Sequence, residues 1–249
     1  GTTNYILSQM TETGVNYANA LADAQKQGFA EADPTNDVCG FDAARKLAIL
    51  SSIGFRANVT FDDVLVEGIE KIDKSDIQYA KDMGYTIKLL TVALRQENGI
   101  ALNVYPAFLP DNHPLSSVKG AYNAIYVTGN IVDDVMFYGR GAGALPTASA
   151  VMGDVISTAQ HILNGSTGTG MIMTDTKRIP FYSSLKLQNS YYFRLDVDDV
   201  TGVLSQIAAA FAENDISICE VVQKRKTKGL AAFSYTHLRA HETCADLVC

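Results

Sequence analysis

The sequence predicts an α+β fold: a mixed sheet with helices on one face, followed by a smaller β-α-β module. Three observations carry that expectation. Ala and Leu recur at helical spacing through the first third of the chain. Four β-rich runs then crowd between Tyr85 and Arg140. A strand, a turn, a helix and a second strand follow in order between Ser190 and Lys224.

The elements follow from local signals. Asn4 to Met10 reads as the end of a strand or turn entering a helix. Asn16 is an N-cap for the run YANALADAQKQG, which Gly28 stops. A helix is expected from about Phe41 to Ile53, with Ala44, Leu47, Ala48 and Ile49 near one face. Ser75 to Met83 is a short helix closed by Gly84. The runs YTIKLLTVALRQ, ENGIALNVYPAFL, NAIYVTGN and VDDVMFYGR, broken by Gly- and Asn-bearing turns, are read as one largely antiparallel sheet. GRGAGALP turns into a helix that Pro146 and Thr147 start. Residues 1–163 form the larger domain on this reading. Residues 164–188, with NGSTGTG and no apolar period, form an exposed, mobile linker. Residues 189–233 form the smaller module.

Composition narrows the function. Of 249 residues, 47% are hydrophobic and 19% charged, and mean hydropathy is +0.03, a globular balance. A net charge of −7 and a pI near 5.0 argue against a nucleic-acid backbone or anionic membrane as the main partner. No apolar run approaches the ~18–20 residues that span a bilayer, and no secretory signal is visible. Cys39, Cys219, Cys244 and Cys249 lack CxxC spacing, so reduced thiols in a cytoplasmic protein are expected. The start at Gly1-Thr2-Thr3, without an initiator Met, suggests a cut inside a longer protein.

The chemically richest stretch is GFAEADPTNDVCGFDAARK, Gly28 to Lys46. It gathers Glu31, Asp33, Asp37 and Asp42 beside Arg45 and Lys46. Asp42 and Lys46 are i,i+4 on a helix and leave the same face. A lysine positioned among carboxylates can bind the ends of an amino acid or pass a proton to a developing alkoxide. The plain alternative is an acidic surface loop with one solvated ion pair, worth under ~1 kcal/mol. A calcium loop is a third reading, and its oxygen spacing fails the EF-hand pattern.

GTTNYIL, GFAEADPTNDVCGFDAARKLAILSS and GRGAGALPTASAVMGDV, in that order and over residues 1–162, resemble the homoserine dehydrogenase family. That resemblance implies NAD- or NADP-dependent reduction of aspartate β-semialdehyde to homoserine, in the branch toward threonine and methionine. It also implies an upstream nucleotide-binding domain, a cytoplasmic dimer or tetramer, and often a C-terminal ACT domain. By resemblance Lys46 matches the proton donor, Glu31 the carboxylate that binds the substrate's amino group, and Asp42 a second substrate carboxylate. Asp37 matches a further acid of that pocket, and Gly1 and Thr2 a turn beside substrate and nicotinamide. Gly141 and Gly143 match a turn that approaches the nicotinamide. Phe29 stands where many relatives have Tyr, and Arg140 where they usually have Pro. No GxGxxG followed by an acid occurs in the chain. The cofactor domain and a second active-site lysine are therefore expected upstream, and the chain alone is expected to be inert.

LDVDDVTGVLSQIAAAFAENDISICEVVQK resembles part of an ACT domain, with Thr201 in place of the usual Pro. Asp198, Asp199 and Gly202 would form the turn that receives a regulatory amino acid such as threonine, at a helix N-terminus. That module could equally serve only to pair with its twin. From Ser234 to Cys249 the pattern fails, and the tail reads as non-native. His237, His241 and Cys244 there imitate a metal cluster without supporting partners, and no metal is expected. The competing reading is an amino-acid-sensing regulatory protein whose larger domain only dimerises. A lysine set among carboxylates speaks for an enzyme.

Overall fold

The computed structural model describes residues 1–97, 99–166, 179–181, 190–198, 200–226 and 230–236. It divides into two compact units, Gly1–Pro180 and Phe181–Cys249.

The larger unit opens with α1 (Thr2–Thr13), already helical where the sequence suggests a strand end or turn. Helix α2 (Tyr17–Lys26) begins at Asn16, whose side chain accepts from the Asn19 N–H at 2.9 Å. The short α3 (Thr35–Val38) precedes α4 (Phe41–Phe55), which buries Ala44, Leu47, Ala48 and Ser51. A 3₁₀ turn at Phe61–Asp63 leads to β1 (Leu65–Val66). Helix α5 (Lys74–Asp82) starts with a capping box between Asp73 and Asp76.

Strands β2 (Tyr85–Gln96) and β3 (Gly99–Pro110) form a long antiparallel hairpin. Strand β1 adds to β3 in parallel, giving a mixed sheet of order β1-β3-β2. The core joins Ile6, Leu7 and Met10 of α1 to Ala20 and Ala24 of α2, Ile77 and Ala80 of α5, and Ile87 of β2. The amphipathic helices named in the sequence thus bury their apolar stripes against the sheet. Residues Gly99 to Val104 of β3 are buried without alternation, so that stretch is covered on both faces rather than one.

Strands β4 (Tyr122–Gly129) and β5 (Asp133–Arg140) form a separate antiparallel ribbon. The single sheet expected from the four β-rich runs is therefore two sheets. Hydrophobic patterning marks strands, and only backbone pairing decides which strands share a sheet. Helix α6 (Ala144–Leu163) begins two residues before Pro146 and has no buried residue.

The linker expected at residues 164–188 falls largely outside the described residues. In the smaller unit, β6 (Phe193–Asp198), α7 (Val203–Glu213), β7 (Glu220–Lys226) and β8 (Leu230–Thr236) follow in order. They form an antiparallel sheet of order β6-β8-β7. Phe211 and Ile216 are its buried centre, packed by Phe193, Leu195, Val197, Val203, Ile207 and Ile218. The second strand starts later than Ile216, and β8 is an additional strand. It runs through Ser234 to Thr236, where the sequence reading places a non-native tail. His237, His241 and Cys244 lie outside the described residues.

Candidate active site

Two segments far apart in sequence meet at the start of α1. Thr2 occupies the first turn of that helix, and its hydroxyl lies 2.7 Å from the Phe29 carbonyl oxygen. The same hydroxyl lies close enough to the Asp37 carboxylate to favour its charged form. With one proton, it donates to one of these acceptors at a time. The Phe29 ring packs on Tyr5, with centroids 4.6 Å apart, and the Tyr5 hydroxyl donates to Asp23. A ring without a hydroxyl at position 29 thus still fastens this loop to α1.

Asp37 sits on α3 and Asp42 and Lys46 on the first turns of α4. The Lys46 ammonium donates to Asp42 Oδ2 at 2.6 Å. The two side chains are 67% and 44% exposed, so the pair adds little stability and does not exist to hold the fold. Its charges face solvent, available to a ligand. Burial pushes the Asp37 carboxyl above its ordinary range, and Asp42 adds to this, while Thr2 and Lys46 oppose it. Asp37 lies within electrostatic reach of both Asp42 and Lys46. Four of the residues expected from sequence, Thr2, Asp37, Asp42 and Lys46, are thereby brought together. Glu31 is exposed in the preceding loop, and among the described residues its carboxylate has no ion-pair partner.

Asn123, at the start of β4, carries no sequence signal beyond a turn-forming residue before a strand. Its Oδ1 accepts from the Gly1 nitrogen at 2.6 Å. A Cβ added at Gly141 would lie 2.5 Å from Asn123 Nδ2. The missing side chain at Gly141 therefore admits the Asn123 amide. Asn123 thus joins the Gly1 turn to the glycine turn. Gly68 was equally invisible: a Cβ there would lie 2.3 Å from the Val38 carbonyl. That close approach lets the Ile69 N–H donate to Val38 at 2.8 Å and fixes the α3 turn that carries Asp37.

The glycine-bearing segment from Gly139 to Gly143 does link a strand to a helix. Its spacing is G-x-G-x-G, and the strand belongs to an antiparallel ribbon. Among the described residues, this turn lacks the dinucleotide-binding spacing, and Asn123 packs against Gly141. Arg140 lies over the Tyr122 ring at 5.0 Å, and Tyr122 stacks on Tyr138. Among the described residues, no group of three or more His, Cys, Asp or Glu is arranged to hold a metal. A shallow pocket lined by Arg45, Ile49, Ile53, Val59 and Phe61 lies farther along α4 and includes neither Asp42 nor Lys46. Arg45 is engaged with Asn36 and the Phe61 ring. The ionic cluster carries the chemistry: carboxylates can receive an α-amino group, and an ammonium can meet an oxygen gaining negative charge.

In the smaller unit, Asp198 ends β6 and Gly202 precedes α7 with a left-handed backbone. Asp199 lies outside the described residues. No helix among the described residues is long and apolar enough to cross a membrane.

A family model described as homoserine dehydrogenase matches residues 1–156. The homoserine dehydrogenase of Mycobacterium tuberculosis (strain ATCC 25618 / H37Rv) is 47% identical over 229 residues, covering 90% of this chain and 52% of the relative. That of Corynebacterium glutamicum is 42% identical over 242 residues, covering 95% and 54%. The crystal structure of a homoserine dehydrogenase from Thiobacillus denitrificans superposes with a TM-score of 0.88 at 36% identity, covering 97% of this chain and 56% of that one. A hyperthermophilic archaeal homoserine dehydrogenase mutant in complex with NADPH superposes at 0.51 with 28% identity, covering 64% and 44%. The chain spans about half the length of the curated relatives it matches.

Proposed function

The chain belongs to the homoserine dehydrogenase family, and on that premise we propose that it supplies the substrate-holding and proton-donating groups for NAD(P)-dependent interconversion of aspartate β-semialdehyde and homoserine. The observation that carries this reading is the convergence of Thr2, Asp37, Asp42 and Lys46 from two separate segments. When the aldehyde is reduced, its oxygen gains a proton, and the Lys46 ammonium, steered by Asp42, is the donor. Glu31 and Asp37 receive the substrate's ammonium, and Thr2 orients Asp37. Gly141 and Gly143 shape the border of the cofactor side through Asn123, and the dinucleotide is held by residues outside those described. A sensor whose larger unit only dimerises would not need this arrangement, and the relatives are named as dehydrogenases. The test is homoserine oxidation with either dinucleotide by the protein at the length of its relatives. Turnover that Lys46→Ala abolishes supports the reading, and no turnover in the unaltered protein overturns it.

The reading extends to assembly, regulation and location. Exposed Phe137 and Tyr138 on β5 and Val151, Val155 and Ile156 on α6 support a homodimer or tetramer, which sedimentation would measure. The β-α-β order and the left-handed Gly202 before α7 support a partial ACT module with threonine as effector at Asp198–Gly202. Threonine at a hundredfold excess over Kd then stabilises the protein by ~2.7 kcal/mol. Gly202→Val abolishes that shift. Free thiols at Cys39 and Cys219 fit a cytoplasmic protein.

A further inference from the structure

Lys88, in the middle of β2, is only 6% exposed. No carboxylate pairs with it among the described residues. Its Nζ donates to Asn4 Oδ1 at 2.7 Å and to the Val118 carbonyl oxygen. Burial pushes the ammonium down to about 8, and the charge of Lys119 adds to this against the weaker opposing pull of Glu12. A buried cation with only neutral partners is an expensive way to fill space, since an apolar side chain of equal length would pack there at lower cost. What the lysine adds is direction.

Asn4 shows where that direction leads. Its Nδ2 donates to the carbonyls of Val118, Gly120 and Tyr122 at 3.2, 3.0 and 3.2 Å. Because Oδ1 accepts from Lys88, the amide cannot turn over without losing every one of these bonds. The Gly120 N–H also donates to Ser8 Oγ of α1 at 3.1 Å. One residue beyond Tyr122 stands Asn123, which touches Gly1 and fills the space at Gly141. Two residues before Asn4 stands Thr2, whose hydroxyl donates to the Phe29 carbonyl at 2.7 Å and lies beside Asp37. Lys88 therefore ties the start of α1, near Thr2, to the backbone that leads to Asn123.

We propose that Lys88 is a positioning residue: by gripping Asn4 and the Val118 carbonyl, it holds the Thr2 end of α1 and the 118–123 turn at one fixed separation. The proposal rests on the reading of the site given above. Its role is indirect, since its Nζ is committed to Asn4 and Val118.

The test uses the full-length protein with Lys88→Met, Asn4→Ala and the double variant, with Lys46→Ala as reference. A small displacement of these two segments lowers kcat about 10- to 100-fold, a loss of the size that misplacement by an ångström causes. Because Lys88 and Asn4 bond to each other and share the Val118 carbonyl, the two losses are less than additive in the double variant. Hydrogen exchange at the amides of residues 2–5 and 120–123 rises in Lys88→Met, while α4 keeps its protection. Turnover of Lys88→Met within about twofold of the unaltered protein, losses that add in the double variant, or unchanged exchange in both segments would each overturn the proposal. If Lys88→Met does not fold, Asn4→Ala decides alone, and normal turnover there overturns it. Absence of homoserine turnover in the unaltered protein is a different result: it removes the functional reading, while the exchange experiment still shows whether the two segments are locked.

Discussion

At the scale of single residues, the proposed function separates charges that bind from a charge that reacts. Lys46 and Asp42 are solvent-facing, so removing either costs the fold little. We expect Lys46→Ala to lower kcat by about 10²–10⁴-fold with a smaller change in KM, because its interaction grows as the oxygen becomes an alkoxide. Lys46→Arg keeps the charge and scarcely releases a proton, so it should not restore kcat. Glu31→Gln should mainly raise KM, because ground and transition states share the substrate's ammonium. Steady-state kinetics on the three variants separates these roles, and near-normal kcat in Lys46→Arg would reduce Lys46 to an electrostatic anchor. Asp37 gives a prediction in pH. Its folded carboxyl titrates above the ordinary carboxylate range because it is buried. In the window between the unfolded and folded values the folded state binds more protons, so this group's contribution is present at low pH and is lost as pH rises through the folded value. Asp37→Asn should therefore raise the thermal midpoint at neutral pH relative to the unaltered protein and flatten its acid-side profile, while turnover falls. An unchanged difference between the two proteins from pH 4 to 7 would show that Asp37 is not buried as an ion.

At the scale of elements, the parts that place the site differ from those that merely begin a helix. Asn16 caps α2, away from the ionic cluster, and Asn16→Ala should cost about 1 kcal/mol and leave turnover intact. Gly68 matters differently. A Cβ at that position meets backbone atoms of Val38 and Cys39, which cannot swing aside as a flexible side chain could. Gly68→Ala should cost about 1–3 kcal/mol through overpacking and also lower activity, because the strain falls on the turn that carries Asp37. Denaturation and kinetics on both variants check this, and full activity in a destabilised Gly68→Ala would disconnect that turn from the site. The sequence made the helices legible and left these contacts hidden. Asn16, Gly28 and Gly84 announce helix limits because caps act on neighbouring residues. Nothing near Gly68 announces that its backbone will press against residues thirty positions earlier.

At the scale of the whole molecule, the two units carry separate cores. In the smaller one β8 is the central strand, and β6 and β7 hydrogen-bond to it rather than to each other. Ending the chain after Lys226 should therefore abolish the cooperative unfolding of that unit, measured by calorimetry. A second transition that survives the truncation would show that β6, α7 and β7 hold together without it. The sequence by itself determined the α+β class, the strand limits at Tyr85 and Gln96, and the spacing that sets Lys46 one helical turn from Asp42. These depend on apolar period, caps and turns, which act within a few residues. The tertiary structure alone decided that the β-rich runs make two sheets. It decided that Lys88 reaches Asn4 across 84 positions and that Asn123 reaches Gly1 across 122. Such contacts arise where packed surfaces meet, and a polar residue at a strand start or in a strand centre looks the same in sequence whatever the chain later brings beside it.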